Sequence, residues 1–203
     1  MSGSTGRTTV GQLLTPAGQL TTLGDLPLNE ALSPDGRYLI VSNNGQGTQS
    51  LQVIKTATGK VVQTIPYKSP ESLYMGLAFS PDGTHLFASA AGNHKIRTYH
   101  FDCDKLVETS AIQMPIVSPK LTKVNLYPAG LAVTNDSKRL VVADQLADAV
   151  SVIDLATNKI QTTHIGHRPV WVTLSKDSTK AFVSSQGGAD VAEVDITKSQ
   201  PLA

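Results

Sequence analysis

The stretch ALSPDGRYLIVSN, Ala31 to Asn43, returns as AFSPDGTHLFASA, Ala78 to Ala90. It comes back in altered form as AVTNDSKRLVVAD, Ala132 to Asp144, and as TLSKDSTKAFVSS, Thr173 to Ser185. The hydroxyl residue that opens each turn stands at Ser33, Ser80, Thr134 and Ser175, in steps of 47, 54 and 41 residues. In Ser33-Pro34-Asp35-Gly36 the proline supplies φ near about −65° at the second turn position, and the glycine tolerates a left-handed exit. The third and fourth copies keep the aspartate, as Asp136 and Asp177, and put serine where the glycine was. Each turn reverses the chain into a β-branched or aromatic run such as RYLIVSN, which reads as a strand.

Working outward, the first copy continues through a polar loop, NGQGTQ, to an alternating strand SLQVIKT, a second turn ATGK and a last strand VVQTI. The third copy repeats this as AVSVIDLATNKIQTTHI, and the second carries the longer KIRTYHFDCDKLVETSAI. No segment holds an i, i+3, i+4 apolar stripe over three turns, so helices are excluded as the repeating unit. Four short antiparallel strands every roughly 40–50 residues make one small sheet that must stack on its neighbours to bury its faces. The expected fold is all-β, a β-propeller of about four four-stranded blades, with residues 1–19 as an N-terminal segment and 20–203 as blades.

The stretch Leu140 to Asp177, LVVADQLADAVSVIDLATNKIQTTHIGHRPVWVTLSKD, resembles the YVTN-type β-propeller repeat, in which a YVAN strand leads to a VSVID-TATGK hairpin and then VG-x-x-P. The opening from Leu13 to Tyr67 is similar to the amino-terminal propeller of bacterial proteins that carry a phosphoesterase domain of the alkaline-phosphatase superfamily downstream. That catalytic domain's nucleophile and metal cluster have no counterpart in this sequence, so the resemblance implies a propeller and no phosphoesterase chemistry. It also implies an exported bacterial protein and a ring of about seven blades, roughly 300 residues at this period. Three units are complete, and the fourth stops at AEVDITKSQPLA before a last strand. A strand pair around QLLTPAGQLTTL, turning at Pro16-Ala17-Gly18, is expected to supply outer strands of a further blade. The chain therefore reads as a segment of a larger protein, with blade faces open to self-association.

Composition narrows the function classes. The 203 residues carry a net charge of +1 and only 16 % charged side chains. No basic stripe is present to neutralise phosphates, which argues against nucleic acid as a partner. Runs such as LVVA are far too short to span a bilayer, and MSGSTGRTTVGQ has no apolar core of a secretory leader. The single cysteine, Cys103, excludes a disulfide framework. Five scattered histidines, at 85, 94, 100, 164 and 167, have no metal-ligand spacing. Neither a metal nor a cofactor is expected, and no catalytic triad can be assembled.

In a four-stranded meander the SPDG and ATGK turns share one rim. The loops between second and third strands share the other with the connections between blades. The resemblance implies that this second rim binds ligands. It gathers Asn43, Asn44, Asn93, His94, Asp144 and Gln145 from the loops, and Tyr127, His167 and Arg168 from the connections. These residues also suit purely structural roles in loops. On the first strand of each unit, Asn29, Gly76, Gly130 and Trp171 share one column, and Glu30, Leu77, Leu131 and Val172 another. Trp171 either projects toward the axis or fills a core gap. Glu30 is either a perturbed acid among apolar neighbours or a water-exposed residue on an end blade. The candidate ligand-binding set is therefore Glu30, Asn43, Asn44, Asn93, His94, Tyr127, Asp144, His167, Arg168 and Trp171. The leading expectation is a binding or scaffold module for a small ligand or a partner protein. The alternatives are a lactonase-like hydrolase built on Glu30, His167 and Arg168, or the accessory half of a phosphoesterase.

Overall fold

A computed structural model describes residues 6–7, 9–11, 13–14, 18–102, 104–117 and 124–198. Cys103 and the Pro16-Ala17 part of the expected N-terminal turn lie outside them. The pair β1 (Gly6–Arg7) and β2 (Leu13–Leu14) precedes the first blade, blade I, which comprises β3 (Pro27–Leu32), β4 (Tyr38–Asn43), β5 (Gln49–Lys55) and β6 (Lys60–Tyr67). Blade II comprises β7 (Leu77–Phe79), β8 (His85–Ala90), β9 (Lys95–Asp102) and β10 (Lys105–Gln113). A second short pair, β11 (Ile116–Val117) with β12 (Val124–Asn125), leads to blade III: β13 (Pro128–Val133), β14 (Arg139–Asp144), β15 (Ala149–Asp154) and β16 (Ile160–His164). Blade IV shows three strands among the described residues, β17 (Pro169–Leu174), β18 (Lys180–Ser185) and β19 (Val191–Asp195). Every pairing is antiparallel, in sequence order within each blade. The fold is an all-β propeller arrangement, as the repeat predicts. No helix among the described residues is long and apolar enough to cross a membrane.

The repeated turn is held by one device in all four blades. The hydroxyl of Ser33, Ser80, Thr134 or Ser175 donates to Asp35, Asp82, Asp136 or Asp177 at 2.5–2.6 Å. The backbone N–H two residues after each aspartate donates to the same carboxylate. The hydroxyl oxygen in turn accepts the N–H of the next strand's first residues. These bonds, the hydroxyl's first among them, hold all four carboxyls below the usual carboxylate range. The aspartate is therefore kept in all four copies while the glycine is not. Ser137 and Ser178 adopt the left-handed φ of 57° and 55° where Gly36 and Gly83 have 71° and 74°.

Blades stack through their alternating strand faces, giving three apolar cores. Ile40, Leu51 and Val53 of blade I meet Leu77, Leu86, Ala88 and Tyr99 of blade II. Phe87 and Ile96 of blade II meet Leu131, Leu140, Val142 and Ile153 of blade III. Val141, Val150 and Val152 of blade III meet Val172, Ala181, Val183 and Val194 of blade IV. The inner strands adjoin in the order β3, β7, β13, β17. Their approach is closest at the two glycines: a Cβ on Gly76 would stand 2.0 Å from the Ala129 carbonyl oxygen, and one on Gly130 2.5 Å from that of Val170. Only a residue without a side chain fits there.

Candidate functional site

The connection rim is built by a latch that recurs in three blades. The residue before each inner-strand proline is left-handed: Leu26, Tyr127 and Arg168 have φ of 51°, 56° and 50°. Its carbonyl accepts the N–H of Asn44, Gln145 or Gln186, the first residues after the second strand, at 3.0, 3.2 and 2.8 Å. The preceding carbonyl, of Asp25, Leu126 or His167, accepts the next N–H along. A left-handed residue before proline is unfavourable. Its recurrence at the same place in three blades marks it as part of the connection geometry.

The residues singled out by sequence mostly serve this framework. Asn43 and Asp144 are fully buried and reach no open surface. Each ends a polar ladder across its blade. The Asn43 Nδ2 donates to Ser50 Oγ and Gln52 Oε1, and Gln52 Nε2 to Thr64 Oγ1. In blade III the Ser151 hydroxyl donates to Asp144 and meets the Thr162 hydroxyl. Burial pushes the Asp144 carboxyl well above the usual carboxylate range, against the opposing pull of that Ser151 bond, and Oδ1 has no partner. Asn93 fastens the connection into blade II: its Oδ1 accepts from Ser72 N–H and Oγ, and its Nδ2 donates to the Pro70 carbonyl. His94 is the left-handed residue after the short turn Ala91–Asn93, and its Nδ1 is buried without a partner. Gln145 joins blades by accepting from Tyr74 Oη and donating to Gln186 Oε1, while Tyr127 packs edge-to-face on Tyr74 at 5.3 Å.

His167 and Arg168 are exposed and share Asp148. His167 Nδ1 lies 3.1 Å from Asp148 Oδ2, and the Arg168 N–H donates to Oδ1. That backbone bond, ahead of the histidine, draws the Asp148 carboxyl down. Glu30 is exposed on the face of blade I turned away from blade II, and Trp171 is 45 % exposed on blade IV. The structure thus brings His167 and Arg168 together and leaves Glu30 on a different blade. It fills no core gap with Trp171, because that ring points off the last described sheet.

One open site on this rim escaped the sequence reading. A cavity of about 550 Å³ lies between the β4–β5 loop of blade I and the connection into blade II, lined by Asn44, Gln46, Thr48, Gln49, Ser69 and Glu71 among others. Asn44 is the one member of the candidate set that lines it. Both of its side-chain amide atoms are buried and lack a hydrogen-bond partner, so the amide itself does not face the open space. A sequence signal existed. Asn43 pairs with Ser50 while Asp144 pairs with Ala149, so this loop is two residues longer than its counterpart in blade III. Beside the cavity the blade interface is rigidly charged. Arg97, only 3 % exposed, donates to Glu108 and Glu71 and lies 4.3 Å over the Tyr67 ring. The Tyr67 and Tyr99 hydroxyls share a 2.6 Å bond, and burial raises both phenols above their ordinary range. Glu71 also pairs with Lys95 at 2.9 Å.

A second cavity, about 570 Å³, opens on the turn rim beside Asp35, Arg37, Tyr38, Asp82, Phe101 and Asp104. The carboxylates of Asp35 and Asp82 are already engaged by their turns. Among the described residues no group of three or more His, Cys, Asp and Glu side chains is arranged to hold a metal ion. What the connection-rim cavity offers is neutral hydrogen bonding, with one carboxylate and Lys68 at its edge.

No family model matches the chain. It is 32 % identical over 148 residues to the seven-bladed beta-propeller protein Rv1057 of Mycobacterium tuberculosis, across 70 % of this chain and 34 % of that protein. The chain thus spans about a third of the length of that relative. Among solved structures, hydrazine synthase of Kuenenia stuttgartiensis superposes with a TM-score of 0.70 at 20 % identity, covering 94 % of this chain and 51 % of that one. A putative 6-phosphogluconolactonase from Bacteroides uniformis does so at 0.70 and 13 % identity, covering 98 % and 61 %. At these identities the structural likeness is one of fold alone. Stacked antiparallel blades, the repeat period and these likenesses agree on one conclusion: the chain is built as β-propeller blades.

Proposed function

We propose that the chain is a binding or scaffold module, a YVTN-type segment of a larger propeller that presents its connection rim to a small polar ligand. The observation that supports this reading is the amide- and hydroxyl-lined cavity between the β4–β5 loop of blade I and the connection into blade II, with the exposed Gln46 and Thr48 side chains on its wall. Amides, hydroxyls and one carboxylate suit a polyhydroxylated, sugar-like molecule, whose many donors and acceptors they match without a strong charge. The lactonase-like alternative requires Glu30, His167 and Arg168 to converge on one reacting atom, whereas Glu30 lies on the face of blade I turned away from blade II and the His167–Arg168 pair on the connection into blade IV. The role of accessory half to a phosphoesterase rests on the resemblance of the opening segment alone.

The test is a thermal-shift and NMR screen of the chain against sugars, polyols and small carboxylates, followed by variants. Gln46→Ala is expected to weaken binding of a hit at least ~10-fold, the loss of about one well-made hydrogen bond. Asp82→Asn, on the opposite rim, is expected to leave it unchanged. Loss of binding from Asp82→Asn alone, with the fold intact by circular dichroism, would place the ligand on the turn rim and overturn the reading.

A further inference from the structure

At the turn rim the three junctions between successive blades differ at one position. The first residue of each second strand, whose N–H donates to the turn hydroxyl, is Tyr38 in blade I, His85 in blade II and Arg139 in blade III. Across the junction stands a residue of the next blade whose N–H donates to the carbonyl just before that blade's second strand. It is Phe101 in blade II, Leu155 in blade III and Ile196 in blade IV, bonded to Thr84, Lys138 and Thr179.

Two junctions are closed by the first of these residues. The Tyr38 ring is buried and packs edge-to-face on Phe101 at 5.4 Å. Burial first, then a hydrogen bond to Asp104, raises its phenol above the ordinary range. Arg139 crosses to blade IV and donates to the Ile196 carbonyl at 2.8 Å. His85 is exposed and engaged within its own blade, with Nδ1 2.8 Å from Thr84 Oγ1 and its ring 5.7 Å from that of His100.

A cavity of about 400 Å³ opens at this third kind of junction, between Phe87 and Ile112 of blade II and Leu155 and Asn158 of blade III. The space between blades I and II is walled by the Tyr38 and Phe101 rings, whereas this one runs past the corresponding place and reaches Phe87. Asn158 stands where Asp104 does. Each is left-handed, with φ of 57° and 69°, and each directly precedes the lysine that follows its turn, Lys159 and Lys105. The lining includes Lys138 and no carboxylate among the described residues.

We propose that this groove binds a small phenol, its ring between Phe87 and Leu155 and its hydroxyl on the Asn158 amide. The ring takes the place that Tyr38 fills one junction earlier, and the amide takes the part of Asp104. An apolar floor with a few convergent polar groups is the ordinary make-up of a small-molecule site. Contact with the Phe87 ring adds to the burial of the ligand ring, and an amide can accept a phenolic proton or donate to its oxygen. The groove lies on the turn rim between blades II and III, so it is independent of the connection-rim ligand.

The probe is p-cresol, the tyrosine side chain as a free molecule. Titrated into the isotope-labelled 203-residue chain, it is expected to give saturable shifts at the amides of Ile112, Leu155, Ala156 and Asn158. His85→Tyr supplies the ring from the chain itself, and is expected to abolish those shifts and raise the melting temperature by a few degrees. His85→Ala leaves the groove open and is expected to keep them. Asn158→Gly retains the left-handed turn without the amide, so p-cresol should bind several-fold more weakly while toluene is unaffected. Tyramine, whose ammonium would lie beside Lys138, should bind more weakly than p-cresol. No saturable shift up to about 10 mM p-cresol would overturn the proposal. So would shifts that survive His85→Tyr, or equal weakening of p-cresol and toluene by Asn158→Gly. Loss of binding in His85→Ala would make the imidazole the recognition group and likewise overturn it.

Discussion

Replacing Asp144 by asparagine is expected to stabilise the chain, increasingly so as pH rises. Asp144 is fully buried at the end of the blade III ladder, accepts one hydrogen bond from Ser151, and has an oxygen with no partner. Burial raises its carboxyl well above the usual range. The unfolded chain releases this proton near pH ~3.9, while the folded chain keeps it to higher pH. Between those two values the folded state binds one more proton than the unfolded state. Stability therefore falls by about 1.4 kcal/mol for each pH unit across that window. Asparagine keeps the acceptor for Ser151 and removes the titration, and blade I already places Asn43 at the equivalent position. At pH 4 the two proteins should agree within ~1 kcal/mol, the cost of an amide whose N–H groups lack partners there. Within that window the variant should gain on the wild type by about 1.4 kcal/mol for each pH unit. Urea unfolding at half-unit steps from pH 4 to pH 7 gives the difference curve directly, with all other groups cancelling. A difference that stays flat across the range, or a variant that loses stability as pH rises, would refute the assignment of a neutral buried acid.

Gly76→Ala places a Cβ 2.0 Å from a backbone carbonyl of blade III and should cost about 3 kcal/mol or more, read as a fall in urea midpoint; an unchanged midpoint would mean that the inner strands do not adjoin there. Ser137→Gly relieves a left-handed serine whose hydroxyl has no role in the turn, and should gain about 0.5–1 kcal/mol by thermal unfolding. Asp35 has its carboxyl drawn down to about 2 by Ser33 and Arg37, so its contribution is present above the unfolded carboxyl value and lost as pH falls toward 2. Asp35→Asn should accordingly lower the melting temperature at pH 7 and make no difference near pH 2; equal effects at both would remove the carboxylate from the account.

The architecture was legible because it is written several times over. Four copies of a hydroxyl-x-Asp turn at blade spacing leave little freedom in strand order, and the inner-strand columns followed from counting back from those turns. Gly76 and Gly130 fell into one such column for the same reason. The site was less legible. Asn43, Asn93 and Asp144 are polar side chains at loop ends, and their types suit a ligand contact and an internal ladder equally. Only burial separates the two. Arg97 sits in the strand KIRTYH with nothing local to mark it as buried, because its partners Glu71 and Glu108 come from a connection and an outer strand. The cavity beside Asn44 depends on a loop two residues longer than its blade III counterpart, and that extra length by itself gives no sign of the open space it frames.

The repeats are blades stacked in sequence order around their first strands. Backbone NOEs in the 203-residue chain test this stacking most directly. Contacts are expected from Gly76 to Ala129 and from Gly130 to Val170 and Trp171, linking β7 to β13 and β13 to β17. Intact strand pairing within each repeat, with those inter-repeat contacts replaced by contacts between other strands, would contradict it.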